Sequence, residues 1–293
     1  MIEIGSGVRE FKLELANCKL SRLDVDTEHY YYINGDYAVS VTQIEDIGAP
    51  KPEGLLQWFK DKSPEEIEER MVMTRDRGTK LHHALESLVM GMELYAEDYP
   101  STYEKDALDT FIKFMKFLVK YGSLDLNKLK HELIVADAKL MVGGTLDLYG
   151  VCDKRALDVL INPTYKLKLE GDDFVLKSPL EGKKKMIGWV LDFKFTGRLA
   201  YNHKVQATMY KRMFNSSYAP QRASGGYIWR YSSKHKFGFD FADASIHSGR
   251  KITAKSFDRI FDTAIEYLGG YPKPPVLKVF PERFKLFNKV KGE

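Results

Sequence analysis

The stretch Val190–Tyr210, VLDFKFTGRLAYNHKVQATMY, decides how this chain is read. Its apolar run Val190, Leu191, Phe193 and Phe195 is interrupted by Asp192 and Lys194. The period of 2 along a strand puts Asp192 and Lys194 on one face. Burying a carboxylate without a partner costs several kcal/mol. Asp192 therefore asks for a cation, either Lys194 in an ion pair or a metal shared with a second carboxylate. The next segment, Tyr201 to Phe214, reads as a helix, and Gln206 and Tyr210 lie one turn apart on it. Taken alone, Asp-x-Lys also describes a structural ion pair on an exposed strand face. Gln206 and Tyr210 equally suit an ordinary amphipathic helix.

A second carboxylate stands upstream in an equally apolar setting. Gly143-Gly144-Thr145-Leu146-Asp147-Leu148-Tyr149 lies in a predicted strand, Leu140 to Tyr149, preceded by another at Glu132 to Val135. If the strands carrying Asp147 and Asp192 are neighbours, their carboxylates converge and a divalent cation offsets their repulsion. A metal flanked by a lysine suits phosphodiester hydrolysis, because charge gathers on phosphoryl oxygens as the bond breaks.

Working outward, the first forty residues read as β. Tyr30-Tyr31-Tyr32-Ile33 and Tyr37-Ala38-Val39 flank Asn34-Gly35, the pair that favours a type I′ hairpin turn. In Ser40-Val41-Thr42-Gln43-Ile44, Thr42 is expected to cap a short helix, and Gly48 to Gly54 is a break. Ser63-Pro64-Glu65-Glu66 and Ser101 with Glu104 are capping boxes that open two helices. The first is expected to run to Gly91 with a kink near Gly78, the second to Tyr121-Gly122. Asp158 to Ser178 reads as polar and irregular, with a hairpin at Glu170-Gly171-Asp172. Strands at Gly225–Tyr231 and Lys236–Phe241 and a helix at Thr253–Leu268 complete the pattern. The order implies one α/β domain over 1–293 with an α-rich N-terminal part. Its parts are 1–125, a core at 126–245 with an insertion near 153–185, and a C-terminal helix and tail at 246–293.

Of the 293 residues, 44% are hydrophobic and 13% aromatic, enough for a substantial core. Lys+Arg 45 against Asp+Glu 41 is a mild excess that does not by itself predict a nucleic-acid partner. The excess is local: Lys273–Glu293 holds six Lys/Arg and two Glu, and the rest is balanced at 39 against 39. With Phe280, Phe284 and Phe287 interleaved, that tail either contacts phosphates and bases or packs on the body. Lys183-Lys184-Lys185 is a second basic run, read as a DNA funnel or a solvated turn. Two distant cysteines, Cys18 and Cys152, build neither a disulfide framework nor a cysteine metal site. No apolar run reaches membrane-spanning length and the N-terminus lacks a long apolar core, so a soluble intracellular protein is expected, with no membrane partner.

The order Gly144-x-x-Asp147, Asp192-Phe193-Lys194, Gln206-x-x-x-Tyr210 resembles the PD-(D/E)XK nucleases, and among them the RecB-like exonucleases. Arg77-Gly78-Thr79-Lys80-Leu81-His82 is similar to that group's G-T-x-x-H helix. Ser40-Val41-Thr42 is similar to the S-x-T segment of related phage and mitochondrial exonucleases. The resemblance spans roughly residues 38 to 230. It implies a restriction-endonuclease-like fold, a mixed central β-sheet flanked by helices. It implies a DNA nuclease, an exonuclease of replication, recombination or repair, in the cytoplasm of a bacterial host if phage-encoded. Asp147 and Asp192 would bind Mg²⁺ or Mn²⁺ with the backbone carbonyl of Phe193 and His82, and Glu132 would support them or form only a salt bridge. Lys194 would be the catalytic lysine. Gln206, Tyr210, Ser40, Thr42 and Arg77 would contact nucleic acid or support the site. His83 is the competing histidine. Helices carrying the histidine would arch over the site, so that a DNA end is threaded, preferably single-stranded, with aromatic rings as stacking surfaces. The Asp147–Asp192 interval is longer than usual in the group. The cysteines of its iron–sulfur branch are absent, so no such cluster is expected. No Walker motif is present, so unwinding would need a replication or recombination partner. The alternatives are an inactive nucleic-acid-binding module with this fold, and a structural protein that matches by chance.

Overall fold

The computed structural model describes residues 2–3, 8–25, 28–51 and 53–271. The basic tail at 273–293, with Phe280, Phe284 and Phe287, lies outside the described residues. In chain order the strands and helices begin with β1 (Ile2–Glu3), β2 (Val8–Glu14), β3 (Lys19–Val25), β4 (Glu28–Ile33) and β5 (Asp36–Ser40). Helices α1 (Val41–Gly48), α2 (Glu53–Asp61), α3 (Pro64–Val89) and α4 (Thr102–Gly122) follow. Then come β6 (Lys130–Asp137), β7 (Val142–Asp153), α5 (Lys154–Ile161), α6 (Pro163–Lys166), β8 (Leu167–Glu170) and β9 (Asp173–Leu176). The chain continues with β10 (Met186–Lys194), α7 (Tyr201–Ser217), β11 (Gly225–Tyr231), β12 (Phe239–Asp243), β13 (Ile246–His247), β14 (Arg250–Lys251) and α8 (Ala254–Tyr267). Among the described residues no helix is long and apolar enough to cross a membrane.

The fold is mixed α/β: ten strands form one large mixed sheet flanked by helices, in the order β1-β2-β3-β4-β5-β7-β10-β11-β12, with β6 on β7. The β4–β5 turn is the one the sequence asks for. Asn34 and Gly35 both take positive φ, 54° and 97°, which a type I′ turn requires. Both capping boxes form, at Ser63–Glu66 and Ser101–Glu104. Helix α3 runs as one helix from Pro64 through Gly78 to Val89.

β10 explains why an almost unbroken apolar run carries a carboxylate. It is antiparallel to β7 and parallel to β11, and both its faces are covered. Ile187, Trp189, Leu191 and Phe193 join Phe111 and Phe114 of α4 in the larger core. Val190 faces the other way, into the layer of α1, α7 and α8. Aromatic rings fill this core: Phe111 stacks on Phe114 at 6.0 Å, and Phe193 and Trp229 meet them edge to face or tilted, at 5.3–6.3 Å between centroids. Such pairs add roughly 0.5–1.5 kcal/mol each beyond their area.

Two expectations need correction. Residues 153–185 are not a polar, irregular insertion with only a β element. Asp153 caps α5, and Ala156, Leu157, Val159 and Leu160 of that helix are fully or almost fully buried in the core beside α4. The β8–β9 hairpin does form, with Gly171 at φ 57°. Thr42 does not cap α1. Ser40 does, its Oγ accepting the Gln43 N–H at 3.0 Å while Gln43 Oε1 accepts the Ser40 N–H at 3.0 Å. The strand therefore hands directly to the helix, two residues earlier than a Thr42 cap allows.

Candidate active site

The register of β7 creates the site. Val142 and Gly143 pair with Val39 and Ser40 of β5, in parallel, and Leu148 to Asp153 pair with β10. Along Val142 to Tyr149 the other edge of β7 is held by β6. β5 and β10 therefore share one edge of β7, one after the other, and the sheet forks between them. At the fork lie Ser40, ending β5, Asp147, and Asp192 to Lys194, ending β10. Gly144 sits there because a Cβ would stand 2.7 Å from the Tyr210 ring. This is the packing reason for the glycine three residues before Asp147.

Asp147 and Asp192, on neighbouring strands, converge with two cations. Asp147 Oδ2 accepts the Phe193 N–H at 2.6 Å, and its Oδ1 lies 3.5 Å from His82 Nδ1. Lys194 Nζ donates to Asp192 Oδ1 at 3.0 Å and approaches Oδ2 to 2.8 Å, but at an angle that makes no hydrogen bond there. Asp192 Oδ2 is buried without a hydrogen-bond partner. Burial pushes the Asp192 pKa up to about 6, Asp147 adding to the push and Lys194 opposing it. Burial also acts on Asp147, but His82, Lys194 and the Phe193 N–H outweigh it and hold its carboxyl below the usual range. Burial works against the Lys194 ammonium, yet Asp192, Asp147 and Glu45 keep its pKa above the ordinary lysine value. Similarly, Asp147 outweighs burial at His82 and raises its pKa.

The other expected residues divide. His82 projects from α3 onto the strand ends, its ring 5.9 Å from Phe193 and 5.4 Å from Phe195, and it meets Asp147. His83 is largely exposed and pairs with Glu86, so the helix phase selects His82. Glu132 falls between the pairs His131↔Leu148 and Leu133↔Leu146, opposite Asp147, with φ 47°, a left-handed conformation unusual for glutamate. Burial pushes its pKa up to about 7, with Asp147 and Glu86 contributing. Gln206 Nε2 donates to Tyr210 Oη at 3.3 Å, both buried. Ser40 and Thr42 share a hydrogen bond at 2.9 Å and line the same cleft. Arg77 does not line it. Its guanidinium lies 4.3 Å from the centre of the Tyr103 ring, because that side of α3 faces α4. Among the described residues no aromatic stacking surface lines the cleft: Tyr31 and Tyr210 are its aromatics other than histidine, and both are buried.

Two groups at the site escaped the sequence reading. Glu45 of α1 is buried, with Oε1 unpartnered, and its pKa is raised well above normal by burial, while Lys194 opposes and Asp192 adds. Its signal was a carboxylate on the apolar stripe Val41, Ile44, Gly48. The N-terminal strands supply a cleft wall: Arg22 Nη1 and Tyr31 Oη each bond Thr145 Oγ1 at 2.9 Å, and Arg22 Nε lies 2.8 Å from Asp24. Nothing local in β3 or β4 points to Thr145, more than a hundred residues away.

The cleft over the fork is about 1500 Å³, above the roughly 300–1,000 Å³ of small-ligand sites. The donor set suits a hard divalent cation: two carboxylates on neighbouring strands, that of Asp192 buried, beside an imidazole and a third carboxylate. As arranged, the carboxylates engage His82 and Lys194, and among the described residues no three His, Cys, Asp or Glu side chains converge as a ready ligand cluster. The fit is therefore to a cation held by the two aspartates and largely hydrated, as Mg²⁺ commonly is. His82→Ala is expected to weaken Mn²⁺ binding about tenfold or more, and His83→Ala to leave it unchanged, read by calorimetric titration. Equal effects would place the wrong histidine at the site. Compared with protein-family models and with curated proteins, this chain matches none.

Proposed function

We propose that this chain is a metal-dependent deoxyribonuclease, an exonuclease that hydrolyses phosphodiester bonds from DNA ends in replication, recombination or repair. The observation that carries the reading is the meeting of Asp147, Asp192 and Lys194 at the sheet fork, under a cleft too large for a small metabolite. Asp147, Asp192 and the main-chain carbonyl of Phe193 would hold Mg²⁺ or Mn²⁺, with His82 and Glu132 beside them. Bound there, the cation would stabilise charge gathering on the phosphoryl oxygens. The protein's own groups act around it. Lys194, paired with Asp192, would donate to a phosphoryl oxygen and orient the attacking water. Gln206 and Tyr210, buried and hydrogen-bonded to each other, line the cleft together with Asp192. Helix α3, whose His82 meets Phe193 and Asp147, would roof the strand ends. A roofed site admits a free end, single-stranded, more readily than the middle of a duplex.

A nucleic-acid-binding module without catalysis is the second reading. It is favoured by the engagement of both aspartates with protein cations. One experiment separates the two. Covalently closed circular single-stranded DNA and the same molecule linearised and end-labelled are incubated with Mg²⁺ or Mn²⁺. Degradation of the linear form alone is expected. Equal loss of the circle would make the protein an endonuclease, and binding without cleavage in either metal would leave the module.

A further inference from the structure

At the end of β10 remote from Asp192, a second cavity of about 250 Å³ opens between α5, α7 and the start of β11. Three lysines from three segments line it: Lys154, which begins α5, Lys185, which precedes β10, and Lys211 of α7. Thr208, Ser224 and Ser245 contribute hydroxyls, and Asp243 is the lining carboxylate, already accepting the Ser245 N–H at 2.7 Å.

The lysines are held in place by buried structure. Asp153, 1% exposed, accepts the Arg155 N–H at 3.1 Å and the Lys185 N–H at 3.3 Å, and is gripped by Arg155 Nη2 at 2.6 Å. The Lys154 N–H donates to the Lys185 carbonyl at 2.9 Å. Lys154 and Lys185 are thereby pinned as neighbours. Across the cavity, α7 rides close on β11: a Cβ on Gly226 would stand 2.9 Å from the Ala207 carbonyl oxygen and 3.6 Å from Lys211 Cβ. Only glycine permits that approach, which brings Lys211 and Thr208 over the opening. Lys154 is committed to Asp158 at 2.6 Å. Among the described residues, Lys185 and Lys211 have no ion-pair partner.

We propose that this cavity binds a phosphate monoester, at a site separate from the catalytic cleft. Two uncommitted ammonium groups and the hydroxyls of Ser224 and Ser245 match a dianion, which lysines recognise as point charges, while Thr208 donates its hydroxyl to the Ala244 carbonyl at 3.3 Å. The volume falls below the roughly 300–1,000 Å³ of drug-sized sites and accommodates a phosphoryl group. A free nucleotide and the terminal phosphate of a nucleic-acid strand share this chemistry. The proposal stands independently of any reaction at Asp192.

The test is isothermal titration of the whole protein in EDTA at fixed ionic strength. The probes are inorganic phosphate, thymidine 5′-monophosphate, and a tetranucleotide with a 5′-phosphate or a 5′-hydroxyl. Phosphorylated probes are expected to bind, and Lys185→Ala/Lys211→Ala to weaken them at least tenfold. Asp243→Asn keeps an acceptor for the Ser245 N–H but removes the opposing charge, and is expected to tighten binding severalfold. Opposite shifts in the two variants cannot come from general damage to the fold. A mononucleotide that matches the tetranucleotide marks a free ligand, and selectivity for the 5′-phosphorylated tetranucleotide marks a strand end. Either supports the site. No binding, unchanged affinity in the lysine double variant, or weakening by Asp243→Asn would overturn it.

Discussion

Asp192→Asn is expected to lower the cleavage rate by about 10³-fold or more, and to stabilise the metal-free protein above neutral pH. The rate follows from losing several kcal/mol of metal-supplied charge stabilisation, at about 1.4 kcal/mol per tenfold. The stability follows from the site's electrostatics. Asp192 is 3% exposed, and burial with Asp147 nearby pushes its pKa up to about 6, Lys194 offsetting only part. The folded protein thus holds this proton more tightly than the unfolded chain, whose carboxyl titrates near 4. Wild-type stability contributed by this group is present below about pH 4 and is lost as pH rises through about 6. Asparagine does not ionise, so the variant escapes that loss. Melting scans in EDTA should show nearly equal temperatures at pH 4 and a higher one for the variant at pH 8. A variant less stable at pH 8 would mean that the ion pair with Lys194 outweighs the cost of burying the charge.

Lys194→Met is expected to cut turnover by roughly 10²–10³-fold, as loss of one preorganised donor does, with DNA affinity nearly intact. One ammonium neutralises one phosphate, so the salt dependence of binding should flatten by less than about one unit of slope. Its effect on stability should be opposite to that of Asp192→Asn. The Lys194 pKa is raised, so the ammonium contributes stability at every pH below its ordinary lysine range, and its loss leaves Asp192, Asp147 and Glu45 without it. Lys194→Arg keeps the charge and should recover much of the melting temperature without recovering turnover. Single-turnover cleavage, salt-dependent binding and melting of both variants check the set. Full turnover in Lys194→Met would remove the lysine from the chemistry.

The parts of this molecule that were legible in sequence are those specified by near neighbours. Asn34-Gly35 and the capping boxes at Ser63 and Ser101 act within four residues, and each forms. Asp147 and Asp192 stood out because a carboxylate conflicts with an apolar strand, and the sheet does place their strands side by side. What was hidden depends on distant packing. Helix α5 is eight residues long, too short for its apolar period to stand out against the charged stretch that follows. Glu45 becomes a site group only because α1 follows β5 into the fork. Arg22 and Tyr31 reach Thr145 only because β3 and β4 extend the sheet beyond β5. Arg77 looked like part of the histidine motif, but helical phase turns it towards Tyr103.

On the proposed reading, Asp147 and Asp192 together hold a divalent cation at the fork. The most direct measurement is the melting temperature of the wild type and of Asp147→Asn/Asp192→Asn as Mn²⁺ is titrated from zero to millimolar. Binding to the native state stabilises it by RT ln(1 + [L]/Kd), about 2.7 kcal/mol at one hundred times Kd. The wild type should show a rise that grows in this way, and the double variant none. A flat wild-type curve, or the same rise in both proteins, would contradict the metal site and the nuclease reading built on it.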